Sequence, residues 1–91
     1  MENYAGTATI LAGGTSYPCT AELVAAEFGA GGTAEWGGRL SVEDPDTAWA
    51  VTDAADPHVR LDGGEGPFTV AEVEGDTVLR IVGAGPVPWR T

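Results

Sequence analysis

Lysine is absent from this 91-residue chain, and its four arginines face fourteen Asp and Glu, for a formal net charge of −10. A field of that sign repels phosphate backbones and anionic lipid surfaces, so neither direct nucleic-acid binding nor membrane binding is expected. One cysteine, Cys19, excludes an intrachain disulfide framework, and one histidine, His58, leaves too few soft ligands for a zinc site. The apolar residues at alternate positions around Cys19 mark it as a small buried hydrophobe. No apolar run approaches the ~20 residues of a membrane-spanning helix. The opening Met1-Glu2-Asn3 lacks the basic and apolar regions of a secretory signal, which predicts a cytoplasmic protein.

What the chain does have is 43 % hydrophobic residues, too many for disorder, and enough length for one modest core in a single domain, residues 1–91. The pattern is organised around Thr33 to Val42. Trp36, Gly38, Leu40 and Val42 share one parity while Glu35, Arg39 and Ser41 share the other, so the first set predicts the buried face of a strand. Tyr4 to Leu11 has strand composition and runs into Gly13-Gly14, a hairpin signal that calls for a partner strand from Ser16. Ala21 to Phe28 has helical propensity, yet Tyr17, Cys19, Ala21, Leu23 and Ala25 alternate, and the hairpin needs a strand of matching length. The segment is therefore expected to be extended.

Asp44 is a suitable helix cap and Pro45 a suitable first helical residue, which predicts a short helix over residues 46–53 with Trp49 packed inward like Trp36. Beyond Asp56-Pro57, His58 to Leu61 reads as a strand, Asp62 to Gly66 as a turn, Pro67 to Glu74 as a strand and Thr77 to Val82 as the last strand. Pro86 and Pro88 cannot donate to a ladder, so the tail is expected to leave the sheet or follow its edge. The sum is an all-β chain, a small antiparallel six-stranded barrel or sandwich with one short helix.

Signals for chemistry are sparse. His58 has no Gly-x-Ser-x-Gly elbow or activated cysteine to serve, and reads as a surface histidine at a strand start. Glu43, Asp44 and Asp46 do not follow calcium-loop spacing, and Pro45 already explains that run as a helix start. A general-acid carboxyl needs a cleft that raises its pKa, which a chain this short has little means to build. A non-enzyme without metal or cofactor is expected. Trp89, approached through Val87 and Pro88, is expected either to plug one end of the barrel or to stand out as an anchor for a partner. The acidic loop Glu43, Asp44 and Asp46 is the second candidate surface.

Tyr4-Ala-Gly-Thr-Ala8, Trp36-Gly-Gly-Arg-Leu40 and Gly83-Ala-Gly-Pro-Val-Pro-Trp89 together resemble a small β-domain of unknown function found in actinobacteria and their phages. The resemblance spans nearly the whole chain, implies extended structure over Ser16 to Val24, and carries no catalytic residues. The expected function is a non-catalytic structural or protein-interaction domain, binding a protein partner or copies of itself. Its most concrete version, drawn from the resemblance, is a virion component that decorates a capsid or associates with a tail. The alternatives are an acidic inhibitor whose carboxylates imitate nucleic-acid phosphates, and a small-ligand carrier using the barrel mouth.

Overall fold

A computed structural model of the chain describes residues 2–28, 33–61, 64–84 and 88–89. Six strands, β1 (Glu2–Ala12), β2 (Thr15–Phe28), β3 (Thr33–Val42), β4 (His58–Leu61), β5 (Gly64–Glu74) and β6 (Val78–Gly83), form an antiparallel barrel that closes in the order β1-β2-β3-β6-β5-β4. One helix, α1 (Pro45–Asp53), interrupts them between β3 and β4. The chain makes two meanders, β1-β2-β3 and β4-β5-β6, and the segment carrying α1 crosses one end of the barrel to join them. Barrel rather than sandwich is the outcome, because β1 meets β4 at Thr9 to Leu11 and β3 meets β6, which closes the sheet on itself. No helix among the described residues is long and apolar enough to cross a membrane.

The β1–β2 hairpin turns in two residues, and both, Gly13 (φ +59°) and Gly14 (φ +79°), take the positive φ that such a turn requires. Pairing then runs without slip from Ala12 opposite Thr15 to Glu2 opposite Ala25. This long register holds residues 21–28 extended against their helical propensity. Backbone pairing, with both β1 and β3 over residues 21–25 and with β3 over residues 26–28, outweighs a few tenths of a kcal/mol per residue of local preference.

Inward positions match the expected alternation. Cys19, Ala21, Leu23 and Ala25 of β2, and Trp36, Leu40 and Val42 of β3, are buried. A six-stranded barrel has a narrow bore, and β2 lines it mostly with small residues so that its Leu23 can meet Ile10, Leu40, Val59 and Leu79 from the other walls in the middle. No polar or charged side chain is buried among the described residues. Burial pushes the Cys19 thiol up to about 11, so it stays protonated at neutral pH and packs as a hydrophobe.

The expected turn over residues 62–66 is corrected in part, since β5 already begins at Gly64. Those glycines serve close approach: a Cβ on Gly64 would collide with the Pro88 carbonyl, and one on Gly66 would come within 2.9 Å of the Trp36 ring. Further along, β5 carries a bulge between Val70 and Glu72. Glu72 and Glu74 share the sequence parity of the inward Phe68 and Val70, and simple alternation would drive both carboxylates into the core. The extra residue resets the phase, placing Glu72 opposite the outward Arg80.

Candidate functional site

The helix end of the barrel is assembled by capping and by size. Asp44 accepts a hydrogen bond from the Thr47 backbone N–H at 2.7 Å, and Pro45 opens the helix. Ala48 and Val51, three residues apart, face the barrel and join its core. Small side chains there let the helix axis sit close over the bore.

That geometry overturns the inward reading of Trp49. A rotation of about 100° per residue from Ala48 carries the indole away from the barrel, and Trp49 is 74 % exposed. Asp46, Trp49 and Asp53, at i, i+3 and i+7, share this outward face, and both aspartates are exposed. Five carboxylates, Glu43, Asp44, Asp46, Asp53 and Asp56, occupy the stretch from Ser41 to Val59, with no Arg or Lys among them. The result is a large apolar side chain standing in an acidic surround.

The bond from Thr47 holds the Asp44 carboxyl below its ordinary range. The sign follows directly: a depressed folded-state pKa gives stability that is complete above the unfolded value near ~3.9 and is lost as pH falls through the folded value. Asp44→Ala is therefore expected to lower the thermal midpoint at pH 7 and to flatten its fall below pH ~4, measured by circular dichroism melts across that range. A midpoint that falls as steeply in the variant as in the parent would refute the cap's role.

The opposite end is closed by the tail. Pro88 is buried against Gly64 and Gly66, and Trp89, half-buried, lies 6.1 Å from Tyr4 and 6.2 Å from Trp36, edge-on to the latter. Trp36 in turn lies against Gly83, where any Cβ would overlap its ring. The three aromatics form a stack across the mouth where β1 and β4 diverge, so Trp89 acts as the plug, with an exposed margin. Val87, the remaining candidate of the tail, lies outside the described residues.

The two candidate surfaces expected from the sequence thus fall at opposite ends. Glu43, Asp44 and Asp46 gather around the start of α1, while Pro88 and Trp89 sit at the far mouth, and no single partner contact of modest size spans both. Trp49 is the functional candidate that sequence reading misplaced. The signal lay in the small residues Ala48 and Val51, whose spacing marks the buried stripe of a short helix better than the largest side chain does.

Elsewhere, charged groups form exposed pairs. Glu74 lies between Arg39 and Arg80, 3.5 Å from the Nε of each, and Glu72 is 3.2 Å from Arg80. His58 stands between Asp56 and Glu65, each at 3.4 Å, and Arg60 reaches Glu65 at 3.5 Å. Such exposed pairs contribute little to stability. Among the described residues, no group of three or more His, Cys, Asp or Glu is arranged to hold a metal ion.

Fold and surface together define a small closed antiparallel barrel, plugged by aromatics at one mouth and covered by a short helix at the other. The chain belongs to the family described as Domain of unknown function (DUF4873), which it matches over residues 1–91. No curated protein and no solved structure matches it.

Proposed function

We propose that the chain is a non-catalytic protein-interaction domain that docks a cationic partner on the outward face of α1. The observation that carries this reading is Trp49, 74 % exposed beside Asp46 and Asp53. Exposing an indole of this size forgoes about 4 kcal/mol or more of burial, taking ~25 cal/mol per Å² over at least ~150 Å². A partner with an apolar pocket ringed by Lys or Arg recovers that energy and matches the surrounding carboxylates.

The packed interior supports an interaction role over a ligand carrier, since core side chains fill the bore from the Trp36 mouth to Val51 of α1. Within the interaction class, the resemblance to a phage-borne domain favours a virion component, capsid-decorating or tail-associated. Cosedimentation of the purified protein with virions supports that version, and a protein that remains free in solution opposes it.

The test is a pull-down from the native source with parent and Trp49→Ala baits. The partner is expected to be lost with the variant, whose thermal midpoint stays within about 2 °C of the parent because the indole touches no core. Equal recovery of the partner by both baits overturns the reading. Loss of the partner in ~0.5 M salt from both baits alike, with no effect of Trp49, would instead favour the carboxylate-mimic alternative.

A further inference from the structure

We propose that the cleft between the last turn of α1 and β5 receives a branched aliphatic side chain of the partner, with an adjoining Lys or Arg of the same segment held by Asp53 and Asp56. This deepens the reading of α1 as the docking face and rests on it for the partner. It adds a second anchor, apolar and of limited size, beside Trp49.

The cleft follows from the shortness of β4. β5 pairs with β4 only as far as Pro67, opposite His58, and the Phe68 N–H then donates to the Pro57 carbonyl at 3.0 Å. Beyond that bond the connector from Ala54 to Asp56 leads back to α1, so Thr69 and Val70 keep β6 on one side and face the end of the helix on the other. The space left there is about 120 Å³. Val51, Pro57 and Phe68, all buried, form its floor, and Ala54 and Val70, half-buried, form its walls. None of the described residues that line it is charged. An engineered apolar cavity of about 150 Å³ stays dry and takes up benzene, so this cleft suits a branched aliphatic side chain. Thr52, exposed at its rim, lies one turn from Trp49 on the same side of α1, which makes cleft and indole parts of one surface.

Charge fixes the rest of the occupant. The carbonyl end of a helix carries partial negative charge and is ordinarily met by a basic residue in the last turn. α1 has no basic residue there and ends on Asp53 instead. Asp56 follows Ala54 and Ala55 of the lining, and both carboxylates are exposed. Among the described residues Asp53 makes no ion pair and Asp56 meets only His58, at 3.4 Å. Glu72, farther along β5, is taken up by Arg80 at 3.2 Å. A helix end finished with an acid is electrostatically incomplete, and a cation brought by the partner completes it. A second copy of this chain does not supply that cation, because Arg39, Arg60 and Arg80 already meet carboxylates and its net charge of −10 repels.

The probe is a synthetic peptide of about ten residues, one Leu between two Arg in a Gly-Ser background, titrated into the isotope-labelled full chain. Saturable shifts are expected at Val51, Ala54, Ala55 and Val70, with a dissociation constant on the order of 1 mM or below. Ala55→Leu fills the opening from an exposed position and is expected to weaken binding about tenfold with its circular dichroism spectrum intact. Asp53→Asn/Asp56→Asn is expected to weaken binding about tenfold while melting no lower than the parent, because Asp53 opposes the helix dipole. A peptide with Ser in place of Leu should also bind about tenfold more weakly. Trp49→Ala should leave the affinity of this short peptide within about twofold, so failure of the Trp49 reading appears in the pull-down and failure of the cleft appears here. No saturable shift up to ~10 mM peptide, shifts that miss Val51 and Val70, equal binding of the Ser peptide, or undiminished binding to either protein variant would each overturn the proposal.

Discussion

Replacing Trp36 with Ala is expected to destabilise the domain by about 3–5 kcal/mol, roughly a fifth or more of the ~5–15 kcal/mol available to a small domain. Trp36 is 3 % exposed and touches three separate parts of the mouth: Trp89 from the tail, Gly66 of β5 and Gly83 of β6. Removing the ring leaves a cavity that rigid strands close poorly, and it takes away the surface on which Trp89 rests. One term runs the other way, because the Trp36 indole N–H is buried without an acceptor among the described residues. An unsatisfied donor of that kind costs about 1–3 kcal/mol, so Trp36→Phe, which keeps most of the ring and drops the N–H, should cost clearly less than Trp36→Ala. Guanidinium unfolding followed by circular dichroism measures both. An unchanged midpoint for the Ala variant, or a Phe variant as unstable as the Ala variant, would show that the mouth is not the pin of this fold.

The strands were legible because their driving force is local alternation. Val59 and Leu61, Leu79 and Ile81, and the inward set of β3 follow a period of two that any half-buried strand must obey. The helix was legible from Asp44 and Pro45, since capping is settled within one turn. Closure into a barrel was less so: it depends on Thr9 to Leu11 meeting Arg60 to His58, about fifty residues apart, and no local pattern encodes that pairing. The bulge in β5 was hidden as well, although the misfit of Glu72 and Glu74 on the parity of Phe68 was its visible trace.

The candidate surfaces were half legible for a related reason. Carboxylates are exposed almost regardless of context, so Glu43, Asp44 and Asp46 were safe to place outside. A tryptophan is placed by whichever neighbour claims its area. Trp36 had glycines across the barrel to receive it, and Trp89 had Tyr4 and Trp36. Trp49 had only the solvent side of a helix whose buried stripe was already filled by Ala48 and Val51. Glycines posed the same problem, since their spacing looks like turns whether they bend the chain or admit a ring.

Gly38 separates those roles and carries the second large effect. Its φ is +146°, a conformation that side-chain-bearing residues rarely adopt, and an added Cβ would strike the backbone carbonyl of Glu22 on the neighbouring strand. Backbone cannot step aside without breaking the β2–β3 ladder at Leu23, which pairs with Gly38. Strain of about 1–3 kcal/mol adds to an overpacking cost of similar size, so Gly38→Ala is expected to cost about 3–5 kcal/mol. Gly83→Ala should be costly for a different reason, because the atoms its Cβ would meet first belong to the Trp36 ring. Only the second should therefore respond to a smaller residue at position 36. In a Trp36→Ala background, Gly83→Ala should become nearly neutral, since the ring it struck is gone, while Gly38→Ala should keep its full cost. A double-mutant cycle by denaturant unfolding reads this as a coupling of about 1–3 kcal/mol for the Gly83 pair and near zero for the Gly38 pair. Gly38→Ala rescued by the loss of Trp36 would mean that its carbonyl clash is relieved through the core, and that the β2–β3 backbone is softer than its register implies.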